Sequence, residues 1–158
     1  MNENIKALYG NKIRVRVAGL CWKDDSLLLV NHSLYKGQDF WAPPGGGLDF
    51  GQRMEDCLKQ EFMEETGLQI NVDGFRFVAE FVNPPLHAIE LFADVSISGG
   101  VLTTGYDPEL TAEGQIIRAA KFVPWETVLA MPAQIKHGIL KLCATVKELK
   151  TLTGFYRI

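Results

Sequence analysis

Residues 45–68, GGGLDFGQRMEDCLKQEFMEETGL, join a glycine-rich turn to the strongest helix signal in the chain. From Arg53 to Thr66 there is no proline or glycine, and Met, Glu, Leu, Lys and Gln dominate, so the segment is helical, with Gly67 as its C′ stop. At 100° per residue from Met54, the apolar Cys57, Leu58 and Phe62 fall at about 300°, 40° and 80°. Glu61, Glu64 and Glu65 fall at about 340°, 280° and 20°, within or beside that apolar arc. Asp56 and Lys59 lie opposite, with Glu55 at the edge. Like charges at i, i+3 and i+4 repel, and turning them toward the protein adds a desolvation cost. Raised pKa values or a multivalent cation would relieve it. All-oxygen donors suit Mg²⁺, or Mn²⁺ in its place, bridging to substrate phosphates. A solvated acidic helix end, whose N-terminal part alone packs inward, would explain the same pattern.

Gly45-Gly46-Gly47 stands shortly before this helix, and glycine lets backbone approach a ligand closely. No Gly-Lys-Ser/Thr follows, and the spacing through Gly51 is not G-x-G-x-x-G, so neither common nucleotide loop is present. The run of prolines and glycines from Pro43 to Gly47 argues against helix or central strand.

Outward from this centre, Ile13 to Leu20 alternates, with Ile13, Val15 and Val17 on one side and Arg14, Arg16 and Ala18 on the other, as a strand with one buried face does. The turn Asp24-Asp25-Ser26 and the apolar Leu27–Val30 complete a hairpin; 31–39 reads as loop. Leu68–Val82 and His87–Ser96 are strand-like around the turn Asn83-Pro84-Pro85. Residues 99–114 read as loop, Gln115–Trp125 as a strand, Thr127–Met131 as a helical turn, and Ile135–Leu149 as an amphipathic helix. This order, without long β-α-β alternation, predicts an α/β fold of α+β type, a mixed sheet between helices.

The chain has 158 residues, 47% apolar and 22% charged, with a net charge of −3. These values predict a single globular domain over residues 1–158 and exclude a generally basic surface for duplex nucleic acid. Cys21, Cys57 and Cys143 make neither a disulfide framework nor a zinc ribbon. The N-terminal residues carry no apolar signal-peptide core, and no apolar run approaches the roughly 20 residues of a membrane helix. A cytoplasmic protein is expected, with no membrane partner.

Gly46–Leu68 resembles the box of the Nudix hydrolases, G-x5-E-x7-R-E-U-x-E-E-x-G-U with U apolar. Gly46, Glu61, Phe62, Glu64, Glu65, Gly67 and Leu68 match without insertion, and Trp41-Ala42-Pro43-Pro44-Gly45 is similar to the family's approach to the box. Gln52 stands where the pattern has Glu, and Gln60 where it has Arg. In the family those positions commonly form an ion pair. Two amides can hydrogen-bond each other instead, which makes the double change a coherent swap.

The resemblance implies a Nudix-like α/β/α sandwich. It also implies Mg²⁺-dependent hydrolysis of a diphosphate linkage in a nucleoside diphosphate derivative (NDP-X to NMP and P-X), with a nucleoside triphosphate or ADP-sugar as the small-molecule substrate. Divalent ions would neutralise phosphate charge and hold attack in line. By the same analogy Glu61, Glu64, Glu65 and the Gly45 carbonyl are metal ligands; Glu65 is the first candidate base and Glu113 the second, a solvated loop acid being the plainer reading of Glu113. The missing Arg normally helps orient the acid at Glu61, so a catalytically weakened nucleotide-binding sensor or interaction module is the alternative. Arg14 and Arg16 are candidates for substrate phosphates or for the solvent side of an edge strand. Lys36 is a weaker phosphate candidate beside a solvated-lysine reading. His32 and His87 have no companion at ligand spacing and read as surface or packing residues. Phe40 and Trp41 either stack on a base or fill the core. Homodimers are common in the resembling family, though no exposed stripe names an interface.

Overall fold

The Asp24-Asp25 turn, with Asp24 at φ 53°, joins β1 (Lys12–Lys23) to β2 (Ser26–Ser33) as the alternation predicts. The computed structural model, which describes residues 10–33, 37–106 and 116–158, continues with β3 (Asp39–Ala42), β4 (Gly45–Gly47), α1 (Met54–Thr66), β5 (Leu68–Asn83) and β6 (Leu86–Gly100). Then come β7 (Ile117–Pro124), α2 (Trp125–Ala130), α3 (Val146–Thr151) and β8 (Gly154–Arg157). The hairpin pairs only beside its turn, at Trp22↔Leu27 and Lys23↔Ser26, and then opens. β1 runs parallel to β6 from Lys12 to Cys21 and antiparallel to β4, while β2 pairs antiparallel with β3 and β7. The resulting mixed sheet has the order β3-β2-β1-β6-β5-β8, with β4 on β1 and β7 on β2.

Helix α1 seats Cys57, Leu58 and Phe62 on Val17, Cys21, Ile70 and Val95. On the opposite side Phe77 and Phe92 stack at 4.8 Å and pack with Leu27, Val128, Ile139, Leu140 and Leu149. The sheet therefore lies between helical layers, the expected α+β arrangement. No helix among the described residues is long and apolar enough to cross a membrane.

Four local expectations are corrected. Gly45–Gly47 is a strand: it pairs with β1 through Arg16↔Gly47, Val17↔Gly46 and Ala18↔Gly45. The polar stretch 31–39 is not loop throughout, since β2 extends to Ser33 and β3 begins at Asp39; buried Asn31 pins the two by donating to Asp39 Oδ1 (2.9 Å) and accepting from the Phe40 N–H (3.1 Å). The long C-terminal helix is broken into a 3-10 turn at Gly138–Lys141 and α3, because His137 caps the first and a Thr145/Glu148 capping box starts the second. Finally, β1 buries its apolar face only from Val17 onward: Ile13 is 63% and Val15 39% exposed, whereas Arg14 and Arg16 are half-buried. At Arg16 β1 is an interior strand, flanked by β4 and β6, so this arginine is not on an edge, whereas Arg14 pairs with β6 beyond the end of the β4 register.

Candidate functional site

The three-glycine strand β4 is a thin partition between α1 and β1. Gly45 has φ 153°, and a Cβ on it would fall on the Val17 carbonyl and Ala18 Cα, so only glycine fits this pairing. A Cβ on Gly46 would fall on the Glu61 carboxylate, which therefore lies directly against the strand. Cys57 donates its S–H to the Gly47 carbonyl at 3.5 Å. Burial, helped by the nearby Glu61 charge, pushes its pKa up to about 11, which keeps the thiol protonated as a donor.

Glu65 is 6% exposed and points at the start of β4. Its Oε2 accepts the Gly45 N–H (3.0 Å), and His32 Nε2 donates to Oε1 (2.9 Å). The β2–β7 register shifts between Asn31 and His32, at this histidine. Glu64 takes its partner from a relay of amides. The Asp49 N–H donates to Gln52 Oε1 (3.3 Å), Gln52 Nε2 to Gln60 Oε1 (3.0 Å), and Gln60 Nε2 to Glu64 Oε1 (2.8 Å). The two residues that depart from the box thus bond to each other, and the chain they form ends on a box glutamate.

On the other side of β4, Arg16 Nη2 donates to the Gly45 carbonyl at 3.3 Å. A Cβ on Gly47 would stand 3.6 Å from Arg14 Nη2. Buried Glu90, directly across from Arg16 in the β1–β6 register, lies 3.9 Å from Arg16 Nε and 3.2 Å from His137 Nε2. Burial acts to raise the Glu90 pKa. The His137 hydrogen bond and the nearby Arg16 and Arg14 charges outweigh it and hold the carboxyl below its ordinary value.

The C-terminal carbonyls of α1, orphaned in any helix, are taken up by the segment after β6. Thr103 N–H donates to Thr66 O, Gly105 N–H to Glu65 O and Tyr106 N–H to Glu64 O, each at 2.9 Å. This clamp holds the acidic turn of α1 in place. It leads into residues 107–115, so Glu113, with Asp107 and Glu109, lies outside the described residues, as does Lys36.

One corner thus gathers Gly45, Glu61, Glu64, Glu65, Arg14 and Arg16. Among the described residues no three acids, histidines or cysteines converge closely enough to hold an ion as they stand. The donor chemistry nevertheless fits a hard divalent cation. A carboxylate offers about four lone-pair sites and a carbonyl two. Among the described residues, His32 and the Gly45 N–H take two of these sites on Glu65, Gln60 one on Glu64 and Arg16 one on the Gly45 carbonyl.

The sequence singled out neither Glu90 nor His137, and it offered His32 as a surface or packing residue without its acid partner. His32 contacts its acid 33 residues away, and no local pattern announces that. The paired register of Arg16 and Glu90 on neighbouring strands was the only available signal, and it needs the strand order to be read. His87 pairs with Glu80 across β5–β6 at 3.1 Å, and Trp41 is buried in the core, as the packing readings have it.

The NUDIX domain profile matches residues 11–143, most of the chain and all of this corner. The chain belongs to the NUDIX domain family. It is 30% identical over 95 residues to the ADP-ribose pyrophosphatase of Methanocaldococcus jannaschii, covering 59% of this chain and 56% of that protein. It is 25% identical over 122 residues to Nudix hydrolase 2 of Arabidopsis thaliana, covering 74% of this chain and 40% of that protein. The chain therefore spans about half the length of these curated relatives. Among solved structures, a NUDIX hydrolase from Nitrosomonas europaea superposes with a TM-score of 0.72 at 18% identity, over 90% of this chain and 93% of that one. At such identity the likeness concerns the NUDIX fold alone.

Proposed function

We propose that this chain is a divalent-metal-dependent pyrophosphohydrolase that cleaves the diphosphate linkage of a nucleoside diphosphate derivative, releasing NMP and P-X. The observation that carries this reading is the glycine strand with carboxylates against one side and guanidinium groups on the other. A diphosphate lying across it meets oxygen donors for a cation at one end and positive charge at the other. The name of the archaeal relative makes ADP-ribose the first substrate to try.

Glu61, Glu64, Glu65 and the Gly45 carbonyl would hold the cation, Mg²⁺ or Mn²⁺, which would neutralise charge on the diphosphate oxygens as a Lewis acid. Arg14 and Arg16 hold the phosphate on the far side of the strand. Glu65, oriented by His32 and the Gly45 N–H, takes a proton from the attacking water on a lone pair those bonds leave. The water oxygen bonds to one phosphorus in line, and the bridging oxygen departs with the other phosphate. The amide relay through Gln52 and Gln60 keeps Glu64 braced without the family's ion pair, and the glycine strand lies directly against the Glu61 carboxylate that the missing Arg would orient; both favour hydrolysis over a weakened, merely binding scaffold.

The test is product identification. Incubation with Mg²⁺ and a panel of ADP-ribose, other nucleoside diphosphate sugars, dinucleotides and nucleoside triphosphates is expected to release nucleoside monophosphate from at least one class, read by ³¹P NMR. Absence of product from every class overturns the hydrolytic reading.

A further inference from the structure

Arg16 sits in a frame that the hydrolytic chemistry itself does not call for. Its Nη2 reaches the Gly45 carbonyl (3.3 Å) and its Nε faces Glu90 (3.9 Å). Glu90 comes from β6, the strand paired with β1, and places a carboxylate in the interior at 6% exposure. A buried carboxylate is costly unless paired on more than one side, and the second partner is His137. The His137 Nδ1 accepts the Ile139 N–H at 3.4 Å, which puts the ring proton on Nε2 and makes that nitrogen the donor to Glu90. The His137 backbone N–H donates to the Trp41 carbonyl (2.8 Å), and its ring lies edge-on to Phe40, with centroids 6.1 Å apart. His137 therefore ties Glu90 to the strand that leads straight into β4.

We propose that Glu90 and His137 are positioning residues that fix the Arg16 guanidinium over the glycine strand, so that affinity for the diphosphate group depends on a buried pair which itself touches no substrate. A flexible arginine must lose its rotamer freedom when phosphate binds, whereas one already held between a carboxylate and a carbonyl has lost it in advance. The carboxylate also keeps the guanidinium oriented, because a planar fork recognises phosphate only at the right tilt. This inference rests on the assignment of Arg16 to the substrate phosphate.

The test is binding of a non-hydrolysable methylene analogue of ADP-ribose with Mg²⁺ by titration calorimetry, beside KM and kcat on the hydrolysed substrate. In Glu90→Gln, Kd and KM are expected to rise about tenfold or more while kcat stays within about twofold. His137→Gln supplies an amide N–H in place of the imidazole Nε2–H and is expected to stay near wild type, whereas His137→Phe matches the Glu90→Gln defect. Combining Glu90→Gln with Arg16→Lys is expected to add little to Arg16→Lys alone. Unchanged Kd and KM in folded Glu90→Gln, or full additivity with Arg16→Lys, overturns the positioning role while leaving the hydrolytic reading intact. Should Glu90→Gln fail to fold, the contrast between His137→Gln and His137→Phe decides alone. Tight analogue binding by wild type with no monophosphate product from any class of the panel overturns hydrolysis and leaves the pair standing; no binding by wild type overturns the assignment of Arg16 to this diphosphate, and with it the positioning role, while the panel decides hydrolysis.

Discussion

Glu65→Gln is expected to lower kcat by about 10²–10⁴-fold while the chain stays folded. The amide retains an oxygen for the Gly45 N–H, so one of the two native bonds survives. Its other half presents N–H groups to the His32 nitrogen that donates to Glu65 Oε1 in the native chain, and two donors then face each other. The charge needed to attract a cation and to accept a proton is gone. The loss of one hydrogen bond costs about 1 kcal/mol, which a urea denaturation curve reads, while steady-state rates on the responsive substrate read the chemistry. Retained turnover in this variant removes Glu65 from the reaction.

Gly45→Ala and Gly46→Ala are expected to fail in different ways, although the positions are adjacent. At Gly45 the new Cβ meets backbone, the Val17 carbonyl and Ala18 Cα, at a φ of 153° that side chains disfavour. Strain and overpacking together cost about 3 kcal/mol or more, enough to lower the denaturation midpoint sharply. At Gly46 the atoms nearest the new methyl all belong to the carboxylate end of Glu61, which can swing away. Stability then falls by about 1 kcal/mol, but displacement of the acid by an ångström or more costs about 10²-fold in kcat. Parallel unfolding curves and rates distinguish the two. Equal stability loss in both contradicts the placement of Glu61 against the strand.

Much of this site was legible because its parts are local. The helix, its Gly67 stop and the inward bias of Glu65 follow from propensity and angular position within one segment, and the partnership of Gln52 with Gln60 follows from two matched departures in one motif. Long-range pairing was not legible. The pairing that turns Gly45–Gly47 into a strand depends on β1 lying beside it, which outweighs the poor strand propensity of glycine. The half-burial of Arg14 and Arg16, against the exposure of Ile13 and Val15, reverses the hydrophobic pattern, and such reversals concentrate where a chain gives up local consistency for a polar site. Ile135–Leu149 kept a helical period across two capping signals, and there the caps prevailed over the period.

The central claim is that the Gly45 carbonyl and Glu61, Glu64 and Glu65 hold a divalent cation beside the diphosphate. Electron paramagnetic resonance of Mn²⁺ titrated into the full chain, with the methylene analogue present, tests it most directly. Loss of the free-ion signal is expected in the wild type, with its return in the Glu64→Gln, Glu65→Gln double variant. A free-ion signal undiminished by the wild-type protein, or diminished equally by the double variant, contradicts the claim.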